Sequence, residues 1–133
     1  MKKLDLVCIV EDDPIQLFIT KRNIELHAIV KKIIVYKNGK EAYYELKEKF
    51  IAGSDLPQII LLDLNMPVWD GWQFLDEFTQ LSIERDISIY ILSSSNNEMD
   101  LERAKKYRQI KNYLVKPVNQ EQVKEILTYH IRS

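Results

Sequence analysis

The stretch IILLDLNMPVWDGW, residues 59–72, runs four large aliphatic side chains straight into Asp63 and then breaks into a loop carrying Pro67, Gly71 and two tryptophans. A short continuous apolar run bounded by turn residues reads as a strand covered on both faces, the situation of a central strand in a parallel sheet. A carboxylate ending such a strand is costly to bury without a partner. Two questions follow: which sheet holds the strand, and what the carboxylate faces.

Four other runs share its character: LDLVCIV (4–10), KIIVY (32–36), ISIYILS (87–93) and NYLVK (112–116), with the central one read as QIILLD (58–63). Their spacing of roughly 23 to 30 residues is that of successive β-α units. Between them, apolar residues recur at helical intervals: Ala42, Tyr43 and Leu46; Leu75 and Phe78; Leu101 and Ala104; Val123, Ile126 and Leu127. Each presumed helix opens with a capping-type residue followed three positions later by Glu or Gln. The pairs are Asp13 and Gln16, Asn38 and Glu41, Asp70 and Gln73, Ser95 and Glu98, and Asn119 and Gln122.

Alternating strands and helices predict an α/β fold, a parallel sheet with helices on both faces joined by right-handed crossovers. The first, third and fourth runs read as central strands. Lys31, Lys32 and Lys37 flank the second and Lys111 and Lys116 the fifth, which suits sheet edges. The expected order is 2-1-3-4-5, the doubly wound flavodoxin-like arrangement, whose ligands bind at the carboxyl ends of the strands beside the switch point. With 133 residues, no low-complexity tract and no internal linker, the chain reads as a single domain over 1–133.

Composition narrows the function. A formal net charge of -1, from 19 basic and 20 acidic residues, gives no electrostatic case for nucleic acid or an anionic membrane as partner. No apolar run approaches the ~20 residues of a membrane span, and no signal-peptide pattern opens the chain. The one cysteine, Cys8, lies in an apolar run and reads as a small core residue. One cysteine and two distant histidines, His27 and His130, do not make a structural zinc site, and a cytoplasmic location is expected. Both histidines read as surface or helix-end residues.

The strand ends carry the chemistry. Glu11, Asp12 and Asp13 follow the first strand, Asp63 ends the third, Ser93 follows Leu92 at the end of the fourth, and Lys116 ends the fifth. Asp13 before Pro14 reads as a helix cap, which leaves Glu11, Asp12 and Asp63 as three carboxylates on one rim. Two unit charges ~4 Å apart at an effective dielectric of ~20 repel by ~4 kcal/mol, so a cation is expected among them. Mg²⁺, which takes one or two carboxylates and keeps several waters, suits this rim better than calcium or zinc.

Acid pair, strand-end Asp, strand-end Ser and Lys-Pro occur in that order in VEDDP (10–14), LLDLNMPVWDG (61–71), ILSSS (91–95) and YLVKP (113–117). In these landmarks the chain resembles the receiver domain of two-component response regulators over essentially its whole length. The resemblance implies that Asp63 is the phosphoacceptor, Asp12 a direct Mg²⁺ ligand, Glu11 an acid acting through metal-bound water, and the Asn65 backbone carbonyl a further ligand. It makes Ser93 the hydroxyl that binds the phosphoryl group, Lys116 its cationic partner and Tyr113 the aromatic that turns inward on activation. It also implies a cis Lys116–Pro117 bond, a phosphorylated histidine on a sensor kinase or phosphotransfer protein as donor, and a downstream protein target. Output is expected through the fourth helix, fifth strand and fifth helix, because the last helix ends close to Ser133 and leaves no output domain; homodimerisation stays open.

Where many receivers carry a Gly-Ala pair before the fifth strand, this chain has Gln109 and Ile110, with Asn112 next to Tyr113, so a differently built turn is expected there. Trp69 and Trp72 read as packing of the loop and helix start. Three rival functions are weighed. A haloacid-dehalogenase-like phosphatase would place its nucleophile after the first strand with an acid two residues on, where Asn65 stands here. An FMN-binding flavodoxin-like protein would need a phosphate loop after the first strand. A receiver-shaped module that is never phosphorylated is disfavoured by the intact acid, Asp, Ser and Lys set.

Overall fold

A computed structural model describes residues 2–132. In chain order it contains β1 (Leu4–Val10), α1 (Pro14–Glu25), β2 (Val30–Tyr36), α2 (Gly39–Ile51), β3 (Ile59–Asp63), α3 (Gly71–Phe78), β4 (Ser88–Ser93), α4 (Glu98–Ala104), β5 (Ile110–Val115) and α5 (Gln120–Arg132). The strands form one parallel sheet in the order β2-β1-β3-β4-β5. The predicted architecture and strand order are both found. β2 and β5 each begin two residues before their apolar runs, and Lys116 stands just past the end of β5.

The period-2 geometry of a strand divides the core into two layers. Cys8, Val10, Ile60, Leu62, Ile89 and Ile91 pack on one side with Ala42 and Leu46 of α2, Phe74 and Leu75 of α3 and Ala104 of α4. Val7, Ile9, Ile59, Leu61, Tyr90 and Leu92 pack on the other with Ile24 of α1 and Val123 and Leu127 of α5. Every residue of β3 is buried, as the run demands, and Asp63 with it.

Four of the five caps form as read. Asp13 Oδ1 accepts from the Ile15 and Gln16 amides, Asn38 Oδ1 from Glu41, and Asp70 Oδ1 from Gln73. Asn119 and Gln122 exchange bonds of 3.1 and 2.9 Å, a reciprocal capping box. The fifth is a correction: α4 is capped by Asn97, whose Oδ1 accepts from the Met99 amide at 2.7 Å, and not by Ser95. The run SSSNN offers several competent caps, and Ser95 is taken up elsewhere. Its amide donates to Ser93 Oγ and its carbonyl accepts from the Tyr113 hydroxyl.

The altered turn before β5 is resolved by a bulge. Ile89 pairs with Ile110 and Tyr90 with Asn112, so Lys111 is the extra residue, and Asn112 keeps an ordinary negative φ. The Asn112 side chain accepts from the Tyr113 amide. Neither histidine is a bare surface residue: half-buried His130 Nε2 lies 2.8 Å from the Tyr90 hydroxyl, and His27 Nε2 lies 3.2 Å from the Gln120 carbonyl. Burial, with Lys111 nearby, holds the His130 imidazole below its ordinary pKa. Cys8 is fully buried, and burial pushes its thiol far up.

The cap correction is testable. Asn97→Ala is expected to cost ~0.5–2 kcal/mol in urea unfolding, and Ser95→Ala to stay within ~0.5 kcal/mol, since no Ser95 side-chain bond supports the helix.

Candidate functional site

The parallel register brings the ends of β1 and β3 side by side, with Val10 opposite Leu62. The residues that follow, Glu11 and Asp12 on one strand and Asp63 on the other, therefore converge at the switch point between β1 and β3. A carboxylate oxygen from each of Glu11, Asp12 and Asp63 lies within 4.8 Å of the other two. Glu11 and Asp63 are buried, at 1% and 2% exposure, while Asp12 faces solvent.

Among the described residues, one cation reaches them. Lys116 Nζ lies 2.8 Å from Glu11 Oε1 and 3.1 Å from Asp63 Oδ1. The lysine is anchored by its own backbone, whose amide donates to the Ser93 carbonyl at 2.8 Å, and it is followed by a cis bond to Pro117, as the resemblance implied. Among the described residues the ammonium is the one partner of buried Glu11 Oε1. The other Glu11 oxygen accepts from the Asp13 amide at 3.3 Å.

Three carboxylates against one ammonium leave an excess of two negative charges. The electrostatics register it. Burial first, then the neighbouring Glu11 carboxylate, push Asp63 up to about 6, although Lys116 pulls the other way. Asp12 is likewise raised, by desolvation and then by its contact with Asp63. For Lys116, burial works against the charged form, but Glu11 and Asp63 outweigh it and hold the ammonium above its ordinary value.

This donor set fits a hard divalent cation: three oxygen donors, one of them open to water, a buried Glu11 oxygen served by the ammonium alone, and two charges to neutralise. Asn65 stands exposed on the same rim, its amide donating to Asp63 Oδ1 at 3.2 Å.

Ser93 is buried at the end of β4, paired in register with Val115 next to Lys116. Its Oγ accepts from the Ser95 amide at 3.2 Å, and the Ser95 carbonyl in turn accepts from the half-buried Tyr113 hydroxyl at 3.0 Å. A chain of contacts thus leads from the rim to the edge strand. The structure places the tryptophans in packing roles. Trp72 is buried against Tyr107 with the Arg103 guanidinium 4.6 Å from its ring centre, and Trp69 lies on Tyr43 and Tyr44.

Fold and rim together define a doubly wound α/β domain with an acidic, cation-ready site at its switch point. Residues 7–128 match the response regulator receiver domain, and the chain belongs to that family. A two-component response regulator from Cytophaga hutchinsonii superposes with a TM-score of 0.88 at 28% identity, covering 99% of this chain and 100% of that one. The probable methanogenesis regulatory protein FilR2 of Methanothrix harundinacea is 29% identical over 119 residues, 90% of this chain and 76% of FilR2. Response regulator Rcp1 of Synechocystis is 29% identical over 97 residues, 72% of this chain and 66% of Rcp1. The crystal structure of the Mn²⁺-bound form of Rcp1 superposes with a TM-score of 0.74 at 25% identity, covering 94% of this chain and 91% of that one.

The raised Asp63 pKa makes a prediction about the metal-free protein. Below pH 3.8 the carboxyl is protonated in both folded and unfolded chains and costs nothing. As pH rises toward about 6, the unfolded chain has released a proton that the folded one still holds, so stability falls across that window. Asp63→Asn should therefore be more stable than wild type by roughly 1–3 kcal/mol at pH 7, with the gain fading as pH drops through the same window. Denaturant unfolding at several pH values without divalent ions checks both the sign and the window.

Proposed function

We propose that the protein is a phosphorylation-dependent signalling switch in which Asp63 accepts a phosphoryl group from a phosphohistidine on a sensor kinase or histidine phosphotransfer protein. The observation that carries this reading is the buried Asp63 carboxylate held 3.1 Å from Lys116 among two further acids. An Asp63 oxygen attacks phosphorus, the P–N bond to the donor imidazole breaks with its electron pair leaving on nitrogen, and an acyl phosphate forms. Glu11, Asp12, Asp63 and the Asn65 carbonyl would hold Mg²⁺, which supplies Lewis-acid stabilisation of the transferred oxygens when bound. The Mn²⁺-bound form of Rcp1 supports a divalent ion in this family member too.

Lys116 offsets charge on the phosphoryl oxygens and remains the fixed counter-ion of the product. Ser93 then has a stronger acceptor than any it had before. Its hydroxyl donates to a phosphoryl oxygen, the Ser95 segment bonded to it is drawn along, and the Tyr113 hydroxyl loses its carbonyl partner. Tyr113 turns on its edge strand, and the surface of α4, β5 and α5 changes for a downstream protein target. Residues 1–133 act as one receiver unit in this scheme, in the cytoplasm. The protein's chemistry is confined to its own phosphorylation and dephosphorylation.

Incubation with acetyl phosphate and Mg²⁺ should add one phosphoryl group to the wild type, read by intact mass, and none to Asp63→Ala. Equal labelling of both proteins sinks the assignment of Asp63. Absence of labelling in either, with the protein folded, favours a module that is never phosphorylated.

A further inference from the structure

The loop that joins Asp63 to α3 is held in a costly shape. Val68 and Trp69 both take positive φ, 50° and 71°, a region that L side chains avoid and β-branched ones most of all. Two consecutive residues of this kind are strained and persist only where their surroundings impose them. The Val68 side chain is 60% exposed and contributes little packing of its own. The constraint therefore falls on Trp69.

Trp69 is gripped from two directions. Its ring lies against Tyr43 and Tyr44 of α2, with centroids 5.5 and 5.9 Å away. Its carbonyl accepts from the Gly39 amide at the start of α2, at 3.2 Å. Gly39 permits this approach because a Cβ there would stand 2.7 Å from the Trp69 oxygen and 3.0 Å from the Asp70 oxygen, both backbone atoms that cannot swing aside. The loop is also closed at its base, where the Gly71 amide donates to the Leu64 carbonyl at 2.9 Å. Asn65 lies inside this closed loop, one residue past the base, with its amide on Asp63 Oδ1.

We propose that Trp69, seated on Tyr43 and Tyr44 and bonded to Gly39, is a positioning residue for the cation site, holding the 64–71 loop in the strained shape that presents the Asn65 carbonyl beside Asp63. The inference rests on the reading of the rim as a Mg²⁺ site. It adds that α2, which supplies no ligand, controls the site through a cluster of tilted aromatic rings. Loosening the stack lets Val68 and Trp69 relax to negative φ and carries Asn65 away from the acids.

Isothermal titration of Mg²⁺ into the metal-free protein tests it, with thermal unfolding of the same samples as the control for folding. Trp69→Ala should weaken Mg²⁺ binding on the order of tenfold, the scale on which removing a group that orients a metal ligand acts. Trp69→Phe, which keeps an aromatic face, should restore most of the affinity. In the Trp69→Ala background, Val68→Gly should recover part of the loss, because glycine takes φ 50° without strain. Should Trp69→Ala fail to fold, Tyr44→Ala, which removes a half-exposed ring of the stack, is expected to weaken binding in the same direction by less.

Wild type that binds Mg²⁺ while the folded variants bind it equally well, whatever their melting temperatures, overturns the positioning role and leaves the reading of the rim intact. Wild type that binds no Mg²⁺ overturns that reading, and the positioning role with it.

Discussion

The Lys116 ammonium stands between Glu11 Oε1 and Asp63 Oδ1, and the arrangement of the rim follows from its being outnumbered. A single positive charge cannot neutralise three carboxylates, two of them buried. It is enough to keep the cluster folded, because removing a buried ion's partner costs several kcal/mol. It does not offset everything: burial first, and then the neighbouring carboxylates, hold Asp63 and Asp12 above the ordinary carboxylate range. The remaining charge is what a hard cation would offset under the proposed function.

Holding like charges together requires a scaffold that does not yield, and the sheet supplies it. β1, β3 and β4 are buried on both faces over almost their whole length, so the residues at their carboxyl ends cannot move apart without breaking the core. More exposed segments surround this buried centre. The Ser95 backbone bonds both the Ser93 and the Tyr113 side chains, and the Asn65 loop keeps its shape through contacts with α2 together with the Gly71–Leu64 bond at its base. Under the proposed function, a charge change at Asp63 would be expressed in these segments while the strands stay in place.

Much of this was legible from residue order. The aliphatic runs and the lysines flanking two of them gave the sheet order, because burial on both faces and edge protection leave opposite compositional marks. Glu11, Asp12, Asp63, Ser93 and Lys116 were each found at a strand end, where a doubly wound fold must bring them together. Less was legible where several residues could serve one purpose or where a contact joins distant segments. Ser95, Asn96 and Asn97 are all competent caps, and only the bonds from Ser95 to Ser93 and Tyr113 select Asn97. The Tyr90–His130 bond and the seating of Trp69 on Tyr43 and Tyr44 depend on the placement of helices against strands, which no local pattern encodes. Valine at a positive φ ran against every local preference, and such a conflict between sequence and backbone is expected where a loop serves a site.

Burial beside the Glu11 carboxylate raises Asp63, and a divalent cation at the rim would relieve it. Titrating the Asp63 carboxyl carbon by NMR, with and without saturating Mg²⁺, addresses that claim directly. A pKa of about 6 is expected in the metal-free protein, with a clear fall when Mg²⁺ is present. A value near 3.8 in both conditions, or one near 6 that Mg²⁺ leaves unmoved, would contradict it.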